Sequence, residues 1–233
     1  MDIKNTKIVV ACQEEQVSLR AHPAFDYANK NCRVCDAELE TVRHVINECL
    51  QYKNTLYKAR HNWVASTIMK HLCKRFKIQF ARNGENDICK FVYDSPWIVS
   101  VNLKHHIPDI VLQDKENKVI YVIEVSCPWF GFMQEQLNIK RVKYSVHSKS
   151  EVGLDWRSYK KDVNFCDALS LQEKMKVVFL PVIISSTGQV FKETQDLFER
   201  YFGPSKGLFI LLSRYSVLGT TRIIKWHFTS SSN

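Results

Sequence analysis

Two rhythms run through the apolar and polar positions of this chain, unbroken β-branched runs and a repeat near 3.6 residues, and the first is clearest in the middle. His106-Ile107-Pro108-Asp109-Ile110-Val111-Leu112 is followed by the polar stretch Gln113 to Lys118 and then by Val119-Ile120-Tyr121-Val122-Ile123-Glu124-Val125. Two such runs around a polar turn predict a β-hairpin. The second run is apolar for five consecutive residues, which suits a strand covered on both faces, so Glu124 is expected where a carboxylate is costly. Antiparallel pairing sets the start of one strand beside the end of the other, bringing Asp109 and Glu124 within reach of one cation. Pro108 fits the start of a strand, where no N–H is needed. Two hard oxygen ligands at a strand edge suit Mg²⁺, which keeps several waters and takes further ligands from substrate phosphates. The plainer reading is a Pro-Asp turn beside an ion-paired strand end.

The 3.6-residue rhythm appears from Leu56 to about Phe76, with Val64, Ile68, Leu72 and Phe76 at steps of four and Lys70, Lys74 and Lys77 opposite, predicting a long two-faced helix. Arg82 to Asn86 breaks it, and Ile88 to Tyr93 and Trp97 to Leu103 read as short strands about an Asp94-Ser95-Pro96 turn. A helix is expected over Phe132 to Val146, with Met133, Leu137, Lys140 and Tyr144 on one stripe and Ile139, Val142 and Val146 on a second. At about 100° per residue Lys140 shares the first stripe and Lys143 turns aside, so Lys140 is expected to face the sheet, the alternative being that it snorkels to solvent. Tyr144, one turn on, is placed to hold the lysine or to touch a phosphate. Ser148 to Met175 reads as irregular, Val177 to Ser185 as a buried strand, and Val190 to Phe202 as a helix ended by Gly203-Pro204. Leu208 to Leu218 and Thr221 to Phe228 are further apolar segments before a Ser-rich tail, and Lys7 to Cys12 reads as a strand before a patternless stretch to Asn31. This order predicts an α/β layer arrangement, helices covering a small mixed sheet.

Composition adds a metal to this picture. Cys32, Cys35, His44 and Cys49 form C-x2-C-x8-H-x4-C, the ligand types of a closed structural Zn²⁺ site, with Glu40 to Cys49 expected as a short helix packing Val42, Val45 and Ile46 inward. His44 and Cys49 are five residues apart and share a face only if that helix frays near Cys49. The alternative is a set of ordinary buried cysteines, yet so short a segment builds little core without a staple. The expected organisation is an N-terminal extension over 1–30, the zinc module over 31–55, an α/β domain over 56–228 and a tail over 229–233.

The net charge of +9 is concentrated. Lys53, Lys58, Arg60, Lys70, Lys74, Arg75, Lys77 and Arg82 fall in a stretch with no Asp or Glu, a footprint that suits a polyanion, nucleic acid first, unless it is simply a solvated helix face. The longest apolar runs, Val177 to Ile184 and Leu208 to Leu212, are far below a membrane span of roughly 18 residues. No signal peptide opens the chain, so a soluble intracellular protein with no membrane partner is expected.

These residues carry a resemblance. Cys32, Cys35, His44 and Cys49, Glu40-Thr41, Arg60-His61-Asn62, Pro108-Asp109, Glu124-Val125, Lys140 to Tyr144, and Leu180-Pro181-Val182 to Gly188 are similar to the C-terminal region of site-specific non-LTR retrotransposon polyproteins. The similarity spans roughly residues 30 to 228. It implies a CCHC zinc knuckle beside a nuclease of the PD-(D/E)XK fold, here without the reverse transcriptase that precedes it in the family, as a fragment or remnant would be. The wider superfamily places a lysine two residues after the second acid, where this chain has Ser126. The retrotransposon branch takes it from the following helix, leaving Lys140 or Lys143 for the role.

The implied chemistry is Mg²⁺-dependent hydrolysis of a phosphodiester in double-stranded DNA, nicking a target to prime reverse transcription. Asp109 and Glu124 would hold the ion, with the lysine and Tyr144 beside them. Arg60, His61, Lys70, Lys74, Arg75 and Lys77 would grip the nucleic acid, with element RNA a further partner and the nucleus the expected location. The rival is a catalytically inactive remnant that still binds nucleic acid.

Overall fold

The computed structural model describes residues 3–100, 103, 107–145 and 164–229. A five-stranded mixed sheet runs in sequence order, β1 (Asn83–Glu85), β2 (Cys89–Tyr93), β3 (Ile110–Asp114), β4 (Val119–Ser126) and β5 (Lys176–Ile183). The first four strands pair antiparallel and β5 joins β4 in parallel. β4 is therefore covered by a strand on each edge and by helices on each face, which is why its apolar run is unbroken.

Alternation along the strands divides the core in two. Ile110, Leu112, Tyr121, Ile123, Val125, Leu180 and Val182 face helices α2 (Lys58–Arg75), α5 (Lys192–Phe202) and α6 (Lys206–Thr229). Val111, Ile120 and Val122 face the other way, toward Tyr144 of α3 (Met133–Tyr144) and Phe165 and Leu169 of α4 (Phe165–Glu173). The α/β layer class expected from the sequence is present. Gly203, at φ 73°, closes α5 in a backbone conformation that costs glycine little.

Several elements differ from expectation. Lys7 to Cys12 belongs to a helix, α1 (Ile3–Gln13), because Val9 and Cys12 are buried by one helical face, a spacing of three that the short β-branched run conceals. Trp97 to Ser100 forms no strand; Trp97 instead packs its ring on the α4 side of the sheet. Residues 101, 102 and 104–106, with the expected strand start at His106, lie outside the described residues, as do 146–163 with Leu154, Trp156 and Tyr159, and the tail 230–233. The end of the stretch expected to be irregular forms α4, whose N-cap Asn164 accepts from the Asp167 N–H. Leu208 to Phe228 is one helix rather than two segments. That helix is long and apolar enough to cross a membrane, but over half of its most apolar window is buried, and its Ser216, Thr220 and His227 are fully buried and hydrogen-bonded within the protein, as in a core helix.

A further core lies at one end. Cys12, Val17, Leu19, Cys32, Val42, Val45, Ile46, Cys49 and Tyr52 pack with Trp129 and with Ile223 and Ile224 of α6. The cysteine-rich segment thus shares its interior with the N-terminal residues and the last helix.

Candidate metal centre and acidic site

Cys32 and Cys35 stand on a turn in which the Asp36 N–H bonds the Cys32 carbonyl at 2.8 Å. His44 to Glu48 is a turn of π-helix, and the Cys49 N–H closes it onto the His44 carbonyl at 2.8 Å. An i to i+5 turn brings residues five apart onto one side, which lets His44 and Cys49 converge where an α-helix would separate them. Tyr57 clamps this turn, its hydroxyl bonding the Val45 carbonyl at 2.8 Å and accepting from the Cys49 N–H at 3.0 Å. The three sulfurs and the imidazole nitrogen all lie within 4.8 Å of one another, with Cys32, His44 and Cys49 buried and Cys35 half-buried. These four residues form a group able to bind a metal such as zinc, since tetrahedral ligands at about 2.3 Å from one ion stand that far apart. Burial raises the Cys32 and Cys49 thiols and lowers His44.

Behind the cysteines is a network the sequence did not disclose. Glu40, fully buried, accepts from the Arg20 and Arg33 backbone N–H groups at 2.8 and 2.9 Å, from the Arg33 guanidinium at 2.7 Å on each oxygen, and from His227 Nε2 at 2.9 Å. Burial pushes this carboxyl up, but His227 and Arg33 outweigh it and hold it far below the ordinary range. Tyr52 meets His227 Nδ1 at 2.7 Å. The signals were Glu40-Thr41 in the resemblance and a histidine alone in an apolar helix; neither states its partner.

Across the sheet, Ile110 pairs with Ile123, so Asp109 opposes Glu124 at the open end of the hairpin. The Asp109 N–H donates to Glu124 Oε2 at 3.1 Å, and the Val125 N–H donates to Asp109 Oδ2 at 2.7 Å. α3 presents Lys140 to this pair, its Nζ 2.7 Å from Glu124 Oε1, while Lys143 stands off at 3.7 Å. Lys140 faces the sheet as its stripe predicts. Tyr144 is buried, and its hydroxyl donates to the Ile107 carbonyl at 3.2 Å, so it braces the segment before Asp109. His61 of α2 places Nε2 3.2 Å from Asp109 Oδ2.

The two carboxyls part in character. Burial pushes Asp109 up, but the His61 imidazole and the Val125 N–H more than offset it and hold the group low. Glu124 is pushed up by burial and by the Asp109 charge, which Lys140 and Lys143 offset only in part. His61, which burial alone would lower, is raised to about 9 by Asp109. Lys140, Lys143 and His61 match the two carboxylates or outnumber them, an arrangement suited to an approaching anion.

The residues expected to grip nucleic acid scatter. Arg60 is 2% exposed, its guanidinium bonding Thr220 Oγ1 at 2.9 Å and the Cys127 carbonyl at 3.3 Å, so it ties α2 to α6 and is withdrawn from any ligand. A helix stripe could not reveal this, because Arg60 lies over Gly219, where a Cβ would come within 2.5 Å of its side chain. His61 joins the acidic site. Arg75 bonds the Phe202 carbonyl at 2.8 Å, and Lys70 lies over the Phe80 ring. Lys74 and Lys77 are exposed on the outer side of the helix end.

Compared with known proteins, the chain matches no family model and no curated protein.

Proposed function

We propose that this chain is a metal-dependent DNA endonuclease of the PD-(D/E)XK fold, nicking a double-stranded target as the retrotransposon enzymes it resembles do, with a CCHC zinc knuckle beside the nuclease. The observation that carries this reading is the meeting of Asp109, Glu124 and Lys140 at one end of the β3–β4 hairpin, two acids from paired strands and a cation from the next helix within hydrogen-bond reach. The residues suit a magnesium ion: the hydrogen bonds to Asp109 fall on Oδ2, leaving Oδ1 for an ion, and Glu124 stands beside it. Asp109 and Glu124 would hold Mg²⁺, which when bound supplies a polarised phosphate and an activated water. Lys140 then has two tasks. It neutralises Glu124 while the site is empty of substrate, and it offers its ammonium to charge developing on the scissile phosphate. Tyr144 fixes the backbone that carries Asp109, and His61 orients that carboxylate through Oδ2. Lys143, one turn on, adds positive charge for the approaching DNA.

A second reading, an inactive nucleic-acid-binding remnant, is favoured by one feature: Asp109 and Glu124 already meet cationic partners, His61 and Lys140, in the protein alone. Nicking of supercoiled plasmid separates the two. Asp109→Asn removes charge with little change in volume, so the nuclease reading expects DNA binding to persist and cleavage to vanish. If the unaltered protein nicks no faster than Asp109→Asn across a range of Mg²⁺ or Mn²⁺, the binding reading stands.

A further inference from the structure

α1, α2 and α6 enclose a groove of about 470 Å³ that shares no residue with the acid pair or the cysteine cluster. α2 lends it Trp63, Thr67 and Lys70, and α6 lends it Tyr215, Arg222 and Lys225. His61 and Trp63 are two residues apart on α2, about 200° around the helix, so the helix turns one side chain to the acids and the other to this groove.

Its chemistry is one-sided. Three cations line it and no carboxylate does. Of the lining hydroxyls, Ser66 and Thr67 donate to the Trp63 carbonyl and Thr221 to that of Leu218, so the charged donors that the groove offers a ligand are its three cations. Lys225 reaches Asn5 Oδ1 at 2.7 Å, and a lysine keeps further protons for a second acceptor. Trp63 is half-buried with the Arg222 guanidinium 5.7 Å from its ring centroid, and Tyr215 is 37% exposed. Flat aromatic faces set among cations recognise a planar ring flanked by negatively charged groups.

We propose that this groove binds single-stranded nucleic acid, with a base stacking on Trp63 or Tyr215 and the phosphates on either side meeting Arg222, Lys225 and Lys70. A duplex is the poorer occupant, because its bases are stacked on one another and offer no free face to a recessed indole. DNA and RNA strands share this chemistry and differ in the 2′-hydroxyl. The inference goes beyond the endonuclease reading and does not depend on it, since it draws on no residue of the acid pair.

The experiment is fluorescence anisotropy of end-labelled oligothymidylate, oligouridylate and a hairpin duplex with the full chain, unaltered and as Trp63→Ala, Trp63→Phe and Arg222→Glu, with circular dichroism melting of each. Both single strands should bind the unaltered chain, more weakly as salt rises. Trp63→Ala and Arg222→Glu should weaken that binding at least about tenfold while duplex binding changes less than about threefold, and Trp63→Phe should retain most of it. A preference between the two strands identifies the natural source. Exposed Arg222 can be replaced without disturbing the core, so a misfolded Trp63→Ala leaves the test intact. Single-strand binding unchanged in Arg222→Glu, lost equally for duplex and single strand, or absent in the unaltered chain overturns the proposal.

Discussion

Lys140 Nζ lies 2.7 Å from Glu124 Oε1, a full ångström closer than Lys143 Nζ. Both lysines are on α3, and the helix turn alone decides which meets the acid. Under the endonuclease reading, Lys140→Ala should slow plasmid nicking by about 10²–10³-fold, the range for deleting one preorganised charge donor, and Lys143→Ala by much less. Nicking rates at saturating Mg²⁺ measure this; a larger loss in Lys143→Ala would reverse the assignment.

The metal group predicts a stoichiometry. One Zn²⁺ per chain is expected by elemental analysis, with Cys49→Ser losing it. Because burial keeps the Cys32 and Cys49 thiols protonated in the metal-free protein, zinc uptake should release protons, visible as buffer-dependent heat in calorimetry. Loss of a structural metal ranks among the largest single-residue effects, so Cys49→Ser should lower stability by more than about 4 kcal/mol.

The His61–Asp109 pair gives a pH dependence with a definite sign. His61 is raised in the folded protein to about 9 from 6.5, so its stabilisation is complete below pH 6.5 and is lost as pH rises through 9. Asp109 is lowered, so its contribution holds above the ordinary carboxyl range and fades as acid is added. The stability gap between the unaltered protein and His61→Gln should therefore be widest near pH 5–6.5 and narrow toward pH 10. The imidazole is 29% exposed, and with solvent screening the gap should be about 1–2 kcal/mol. Urea unfolding without added magnesium at pH 6 and pH 10 measures it, and an equal gap at both would remove the ion pair from the account.

Gly219 permits Arg60 to cross between α2 and α6, and the added methyl of Gly219→Ala would meet Arg60 Cγ at 2.5 Å. Alanine is the better helix former by about 1 kcal/mol, which sets the two effects against each other. Buried overpacking of this kind costs about 1–3 kcal/mol, so a net loss of stability is expected from the denaturant midpoint. A gain would mean that Arg60 moves aside freely.

Lys74 and Lys77 remain exposed on the basic stretch. If they contact DNA phosphates, each replacement by Gln should weaken duplex binding to a similar degree on any sequence and reduce the salt slope by about one. Titrations at several salt concentrations would show it.

The sequence disclosed what local pattern dictates. The β3–β4 hairpin, and with it the meeting of Asp109 and Glu124, followed from two β-branched runs and an antiparallel register. Lys140 followed from a helical stripe. What escaped depends on contacts distant in sequence: Arg60 looked like one cation among many until α6 closed over it, and Glu40 and His227, 187 residues apart, had no shared signal. The π-turn at His44 escaped because propensity describes α-helices, whereas this turn is held by the Tyr57 hydroxyl, thirteen residues on, which bonds the Val45 carbonyl and the Cys49 N–H. Lys7 to Cys12 was mistaken for a strand because β-branched residues also tolerate helices when one face is buried, as Val9 and Cys12 are.

That separation of Glu40 from His227 also sets an order of events on the ribosome. Cys32 to Cys49 leave the exit tunnel long before the last helix is made, so the nascent chain can gather these four candidate ligands while Ile223, Ile224 and His227 are not yet in place around them. Any ion these residues take would be captured early and enclosed late. During that interval the thiols would be open to exchange, to oxidation and to competing ions, until the final turns of α6 arrive.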